Sequence, residues 1–296
     1  MSLKKFPLII LFCLLSSALV IFLYVMGFNF LTIPPKSAEA LLEEHLQEDN
    51  LSSLEDEKGG GILETIIAPR LSYFPFVLSF SANLKDDNEL VLLSRSNFDG
   101  DIEGSFEKNV LDINDFSKTE NFIKNIDYQI SGIVFAIGSI NLKPFSSTSL
   151  DDFKKIMDEN FYNIVHFLNH SISKMSESSS VVFFSSIAAV RGFKNHTAIA
   201  SAKSALIGLS NSLAADYAPK IRFNTISPSL SVSKMSNFMV SNEKVAEGIG
   251  KLHPMSRLGT GDDIGNLASF LISEKSSWIT GQNFQVDGGR STLITR

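Results

Sequence analysis

The sequence predicts an α/β fold, a doubly wound parallel sheet with helices on both faces, preceded by one N-terminal transmembrane helix. Three observations predict it. From Ile62 onward, strand-like runs alternate with helical stretches of 10–25 residues, the spacing of βαβ units. The 296 residues are 44% hydrophobic and 20% charged, enough for a sizeable core and too apolar for global disorder. The run Phe6 to Leu31, "FPLIILFCLLSSALVIFLYVMGFNFL", carries no charge at all.

That run follows Lys4 and Lys5, and as a helix its 26 residues extend about 39 Å, against a hydrocarbon core of about 30 Å. A cleaved signal peptide has a shorter apolar region, but Ala38-Glu39-Ala40 is a cleavage-like site, so that alternative and a buried core helix stay open. Lys4, Lys5 and the amino terminus outweigh Lys36, which places the amino terminus in the cytoplasm and the rest of the chain across the membrane. Pro34-Pro35 ends the span, so residues 1–35 are read as the anchor. Residues 36–61, acidic and then Gly-rich, are read as a linker, and residues 62–296 as the α/β domain.

Within that domain "ILETIIA" is a strand, and "LSYFPFVLSFSANL" has helical period, disturbed by Pro75. "ELVLLSRS" is a strand, "NVLDIND" a short strand leading to a helix through Ile126, and "SGIVFAIGSI" a buried strand. Asp151 to Met175 is a long helix with apolar Phe153, Ile156, Met157, Ile164, Val165 and Leu168. "SSVVFFSSIA" is a strand, Ala198 to Tyr217 a helix, and "IRFNTISPS" a strand and turn. Asp262 to Ser273 is a helix and "NFQVDGG" a last strand. Sheets of this kind bind ligands beyond the carboxyl ends of their strands.

Composition excludes some functions. The net charge is −6 with no long basic run, so a nucleic-acid partner is not expected. Cys13, the one cysteine, lies in the apolar run and supports neither a disulfide framework nor a thiol or zinc site.

The segments "VVFFSSIAAVRGF", "AKSALIGLSNSLAADYAPKIRFNTISPS" and "HPMSRLGTGDDIGNLASFLISEKSSWITGQNFQVDGG" resemble the carboxyl-terminal half of the short-chain dehydrogenase/reductase family. The likeness continues more weakly back to Ile62. It implies a Rossmann-like fold and NAD(P)(H)-dependent oxidoreductase chemistry, with NADP or NAD as cofactor. In that family an asparagine, a serine, a tyrosine and a lysine form the catalytic set. Asn160, Ser186 and Lys203 take three of those positions, Lys203 being also the residue that holds the nicotinamide ribose. The tyrosine position, thirteen residues after Ser186 and four before Lys203, holds Ile199, which has no proton to exchange.

Two further departures touch the cofactor. The family's Gly-rich phosphate turn is replaced by "IIAPRLSYFPF", Ile66 to Phe76, with no glycine between Ile62 and Asp99. Pro69 lacks an N–H, and Tyr73, Phe74 and Phe76 crowd the place where backbone should meet diphosphate. "FAIG", Phe135 to Gly138, stands where the family has NNAG. By resemblance, Arg95 matches the residue that selects the 2′-phosphate of NADP, and Asp112 the carboxylate that meets the adenine amine. A solvated charge at a strand end is the competing reading of each.

His196, seven residues before Lys203, matches the tyrosine spacing of enoyl reductases in the same superfamily, and a histidine exchanges protons near neutral pH. An ordinary loop histidine is the alternative. His166 and His170 are four apart on one helix, but no third metal ligand follows at suitable spacing, so no metal is expected and they are read as surface histidines. Two functions remain open: a membrane-anchored pseudoenzyme that serves as a platform for a partner or ligand, or an active NADP(H)-linked carbonyl or alcohol oxidoreductase using Ser186, Lys203 and His196. The resemblance also implies a homo-oligomer through helices 151–175 and 198–217.

Overall fold

A computed structural model of the chain describes residues 63–67, 89–95, 106–233, 236 and 240–294. The membrane span expected at residues 6–31, the linker at 36–61, the helix expected at 71–84 and the proline- and aromatic-rich turn after Ile67 lie outside the described residues. Among the described residues no helix is long and apolar enough to cross a membrane.

Seven parallel strands form one sheet: β1 (Leu63–Ile67), β2 (Glu89–Ser94), β3 (Phe106–Val110), β4 (Ile130–Phe135), β5 (Met175–Phe184), β6 (Ile221–Pro228) and β7 (Asn283–Val286). Their spatial order is β3-β2-β1-β4-β5-β6-β7. The chain winds outward from β1 in one direction and then, from β4, in the other. The switch point lies between β1 and β4, where sheets of this topology open a crevice at the carboxyl edge.

The central strands are apolar on both faces because helices cover both. On one face Val91, Ile133, Phe135, Val181, Phe183 and Phe223 pack under α1 (Phe116–Lys124), the helical run beginning at α2 (Leu150–Met157) and continuing as α3 (Asn163–Ser171), and α4 (Thr197–Tyr217). On the other, Leu92, Val134, Val182 and Ile226 meet Ile264, Ala268 and Leu271 of α6 (Gly261–Ile272). The rings of Phe135 and Phe183, paired across β4 and β5, stack with centroids 5.5 Å apart.

Helix ends follow the sequence closely. Ser149 and Asp152 form a capping box at the start of α2, and Thr260 and Asp263 form another on α6. Arg222, buried on β6, donates to Leu271, Ser273 and Ser276 carbonyls at 3.0 Å and so receives the carboxyl end of α6.

Four expectations need correction. The third strand is Phe106–Val110, "FEKNV", and not "NVLDIND". It is an edge strand with Glu107, Lys108 and Val110 exposed, so hydrophobic pattern does not mark it. The helix read as Asp151 to Met175 is broken by a π-turn, Asp158–Tyr162, and Met175 already belongs to β5, paired with Ile130. The strand read as "SGIVFAIGSI" starts at Ile130 and ends at Phe135, leaving Ala136 to Ile140 as a loop over the sheet edge. The helix α5 (Glu243–Gly250) was not expected at all; its signal was Asn242, whose side chain accepts from Val245 N at 3.3 Å as an N-cap.

Candidate active site

The loops after β4, β5 and β6 enclose a cavity of about 280 Å³ at the carboxyl edge of the sheet. Among the described residues, Asn160, Ser186, His196, Ile199 and Lys203 all line it. The sequence thus names five side chains that the fold does bring together. Arg95 and Asp112 do not line it; they sit at the carboxyl ends of β2 and β3.

Lys203 is on α4, one turn after Ile199, so the two side chains share a helix face. Its ammonium is buried and donates to Ile137 O and Phe184 O, each at 2.9 Å, bridging the ends of β4 and β5. Burial alone pushes its pKa from 10.5 down to about 7. As an ammonium it carries three donors, so one remains after the two carbonyls are served. Ser185 Oγ donates to Lys203 O at 2.8 Å and pins this part of α4 to the end of β5.

Asn160 is fully buried in the π-turn. Its Oδ1 accepts from Ser139 N at 3.2 Å, while Nδ2 donates to Ser139 Oγ at 3.2 Å and to Ile156 O at 3.0 Å. The two bonds to Ser139 hold the loop after β4 against the helix, and the bond to Ile156 O fixes the amide on the helix itself. Gly138 sits between Asn160 and Lys203: a Cβ there would lie 2.6 Å from Asn160 Oδ1 and 3.0 Å from Lys203 Nζ. Sequence reading registered Gly138 only as part of a departure from NNAG and missed its steric role.

Ser186 Oγ accepts from Ala188 N at 3.1 Å and caps the single turn Ile187–Ala189. Its hydroxyl proton is still available to a ligand oxygen. His196 stands at the N-cap of α4, and its Nδ1–H donates to Lys194 O at 2.7 Å. In a neutral ring that fixes Nε2 as the acceptor. Ile199, 5% exposed, packs with Ile156, Ala198 and Ala202 and against Leu142, Phe153 and Met157, so the tyrosine's place is filled by core.

Other cavity residues escaped sequence reading. Arg290 lies over the Phe193 ring at 5.2 Å, a cation–π contact on the cavity wall. Ser229 Oγ donates to His253 Nε2 at 2.8 Å, because His253 Nδ1–H is committed to Ile249 O at 3.0 Å. The only sequence signals for these were the residues themselves, at the ends of segments carrying the resemblance.

The described residues fit the two ends of a nicotinamide dinucleotide. Lys203 retains a donor for a ribose hydroxyl beside Ser186, and Arg95 is exposed just past β2. Asp112 is half-buried, and its Oδ1 accepts from Asn114 N at 3.1 Å and from Asn114 Nδ2, a local turn that leaves Oδ2 for an amine. The segment that would face the diphosphate lies outside the described residues.

The histidine pair has a neighbour that sequence spacing does not show. Glu120 of α1 meets His166 and His170 of α3, so a third potential ligand does exist. It comes from another element, 46 residues before His166, where local spacing cannot reveal it.

The comparisons with known proteins agree with this geometry. The family model described as Enoyl-(Acyl carrier protein) reductase matches residues 89–291. A chloroplastic tropinone reductase homolog of Arabidopsis thaliana is 31% identical over 189 residues, 62% of this chain and 59% of that protein. The chain thus spans about three-fifths of that relative's length. The ligand-free aldohexose dehydrogenase of Thermoplasma acidophilum superposes with a TM-score of 0.70 at 25% identity, over 79% of this chain and 97% of that one. ElxO with NADP bound shares the fold, with a TM-score of 0.69 at 22% identity, over 78% of this chain and 99% of that one. A family match over residues 89–291, joined to a switch-point cavity lined by Asn160, Ser186 and Lys203, makes this chain a member of the short-chain dehydrogenase/reductase family of oxidoreductases.

Proposed function

We propose that this chain is a membrane-tethered member of the family whose cavity still binds a small carbonyl or alcohol ligand beside NADP(H), but whose ordinary dehydrogenase turnover is lost or strongly slowed. The observation that carries the reading is Ile199, buried in an apolar cluster where the proton donor should stand. A positioned acid or base contributes roughly 10²–10⁴-fold to rate. Neither remaining neighbour replaces it directly, since Lys203 is turned onto two backbone carbonyls and Ser186 is a weak acid whose oxygen already accepts a cap bond.

When bound, the nicotinamide cofactor supplies or accepts hydride. The chain's own residues orient: Ser186 donates to the ligand oxygen, Lys203 presents its third N–H to the ribose, and Asn160 holds Ser139 and the loop around Gly138 in place. Arg95 supports the choice of NADP over NAD. The tether is the span 6–31, with the amino terminus cytoplasmic, and pairing through the helical run α2–α3 and through α4 makes a homo-oligomer.

The test restores the missing group. The full chain, purified in detergent, is compared with Ile199→Tyr for NADPH binding by fluorescence and for NADP(H)-linked turnover of two probes, tropinone and an aldohexose. The expected result is NADPH binding to both proteins and turnover at least about 10²-fold faster in the variant. Lys203 one turn away should also lower the new phenol's pKa, read by ultraviolet titration. Turnover by the native chain equal to that of the variant overturns the reading.

A second reading is favoured by the His196 geometry. Because Nδ1–H is held by Lys194 O, Nε2 is set to take a proton at the cavity wall. Native turnover that falls about 10²-fold or more in His196→Ala would establish it.

A further inference from the structure

We infer that Glu120, His166 and His170 form a binding site for one divalent transition-metal ion of the zinc class, separate from the cavity. None of the three lines that cavity. His166 and His170 are one turn apart on α3 and present Nε2 on the same side, while Glu120 approaches from α1. Their ligand atoms all lie within 4.8 Å of one another.

Three features make this more than a chance surface cluster. First, His166 Nε2 is buried and has no hydrogen-bond partner. A buried acceptor or donor left without a partner is destabilising, so the position favours a ligand that serves it. Stacking of its ring on Phe116, centroids 4.0 Å apart, holds it in that position.

Second, Glu120 Oε1 stands 3.6 Å from His166 Nε2 and 3.8 Å from His170 Nε2. Those gaps are too long for hydrogen bonds. They are close to the edge of a tetrahedron about a zinc ion, about 3.3 Å for bonds of about 2.0–2.1 Å. A shift of a few tenths of an ångström in a half-exposed carboxylate closes them.

Third, the tautomer is already set for ligation. His170 Nδ1 lies 2.9 Å from His166 O, so Nδ1 carries the proton and Nε2 carries the lone pair. A backbone carbonyl on the far nitrogen is the usual orienting partner of a metal-bound histidine.

Two imidazoles and one carboxylate suit zinc and its first-row neighbours and disfavour magnesium or calcium, which take oxygen ligands. Three protein ligands leave a fourth position for water. Because the ligands join α1 to α3, the ion clamps two neighbouring helices of one face and stabilises the folded state by mass action.

The test uses the full chain in detergent, without a polyhistidine tag. The protein is stripped with a chelator, equilibrated with Zn2+, desalted and assayed by elemental mass spectrometry. The expected result is one zinc per chain and a raised melting temperature. Co2+ in its place should show the visible bands of a tetrahedral site. His170→Ala and Glu120→Gln, both at exposed positions that the fold tolerates, should each weaken zinc binding at least tenfold and abolish the thermal shift. Glu247→Gln, on α5, should change neither. Failure of the native chain to retain zinc overturns the site, as does an undiminished equivalent in both variants.

Discussion

The cavity has two walls built on different principles. One is polar and rigid: Ser139, Asn160 and Lys203 gather round Gly138, and every polar atom among them is tied to backbone or to a neighbour. The other is apolar: Ile199 joins Leu142, Phe153, Ile156 and Met157 in a small cluster of its own. The contrast shows that the scaffolding of a catalytic set and its reactive group separate physically. Lys203 and Asn160 hold the ends of β4 and β5 and the loop between them, a role that survives without a tyrosine. Ile199 needs only to fill space, and does.

The comparison breaks most sharply at Gly138. A methyl group added there meets Asn160 Oδ1 at 2.6 Å and Lys203 Nζ at 3.0 Å. Both are ends of side chains that would ordinarily swing aside. Here neither is free, because three hydrogen bonds fix Asn160 and two fix Lys203. Gly138→Ala should therefore destabilise the fold by about 2–4 kcal/mol through overpacking and broken buried hydrogen bonds. Gly208→Ala is the control: it lies inside α4, nothing stands within 4 Å of its added methyl, and helix propensity favours the change by up to about 1 kcal/mol. Equal unfolding midpoints for the two variants would show that the polar wall is not rigid.

Much of this was legible in the sequence. Strand β4 and the buried part of β5 hold apolar runs, β6 carries Ile221, Phe223 and Ile226 among buried polar residues, and alternation with helices gave the parallel sheet. The resemblance to the short-chain dehydrogenase/reductase family located Asn160, Ser186, Ile199 and Lys203, since each matches a family position at a fixed offset within the segments that carry the likeness. What stayed hidden has physical causes. Edge strand β3 is solvated, so it lacks the hydrophobic pattern by which strands are found. The π-turn at Asp158–Tyr162 adds no compositional signature, yet it is what carries Asn160. Gly138 has no side chain to announce its role, which is the absence of one. Glu120 meets His166 and His170 only through tertiary packing.

Lys203 sharpens the same comparison through pH. Its pKa is about 7 in the folded chain and near 10.5 when unfolded, the shift coming from burial. Below pH about 7 both states hold the proton, and the full cost of burying the charge is present. Between about 7 and 10.5 the unfolded chain binds more protons, so this residue makes stability rise with pH, by up to about 1.4 kcal/mol per unit. Lys203→Met removes the group together with its hydrogen bonds to Ile137 O and Phe184 O. The variant should lose that slope, whatever its overall stability. Urea unfolding at a series of pH values measures it as the difference between the two proteins. Parallel profiles would mean that Lys203 stays charged, served by its two carbonyls.

The smallest effect is expected at Ser186, which stands where the two walls meet. Its oxygen accepts one bond, from Ala188 N at 3.1 Å. The turn it caps is also closed by backbone, with Ala189 N on Ser186 O at 2.9 Å and Arg191 N on Ile187 O at 2.9 Å. Loss of the hydroxyl in Ser186→Ala therefore removes one of several restraints at a half-buried position that water reaches, a cost of under about 1 kcal/mol. A hydroxyl has two lone pairs and one proton, and the cap uses only a lone pair. The proposed role in ligand binding uses the proton, which the cap leaves unused. Affinity for a carbonyl ligand should fall several-fold in Ser186→Ala while the melting temperature moves by a few degrees at most. The opposite pattern, a large loss of stability with unchanged affinity, would assign Ser186 to the rigid wall and leave the cavity without a polar group for the substrate oxygen on this side.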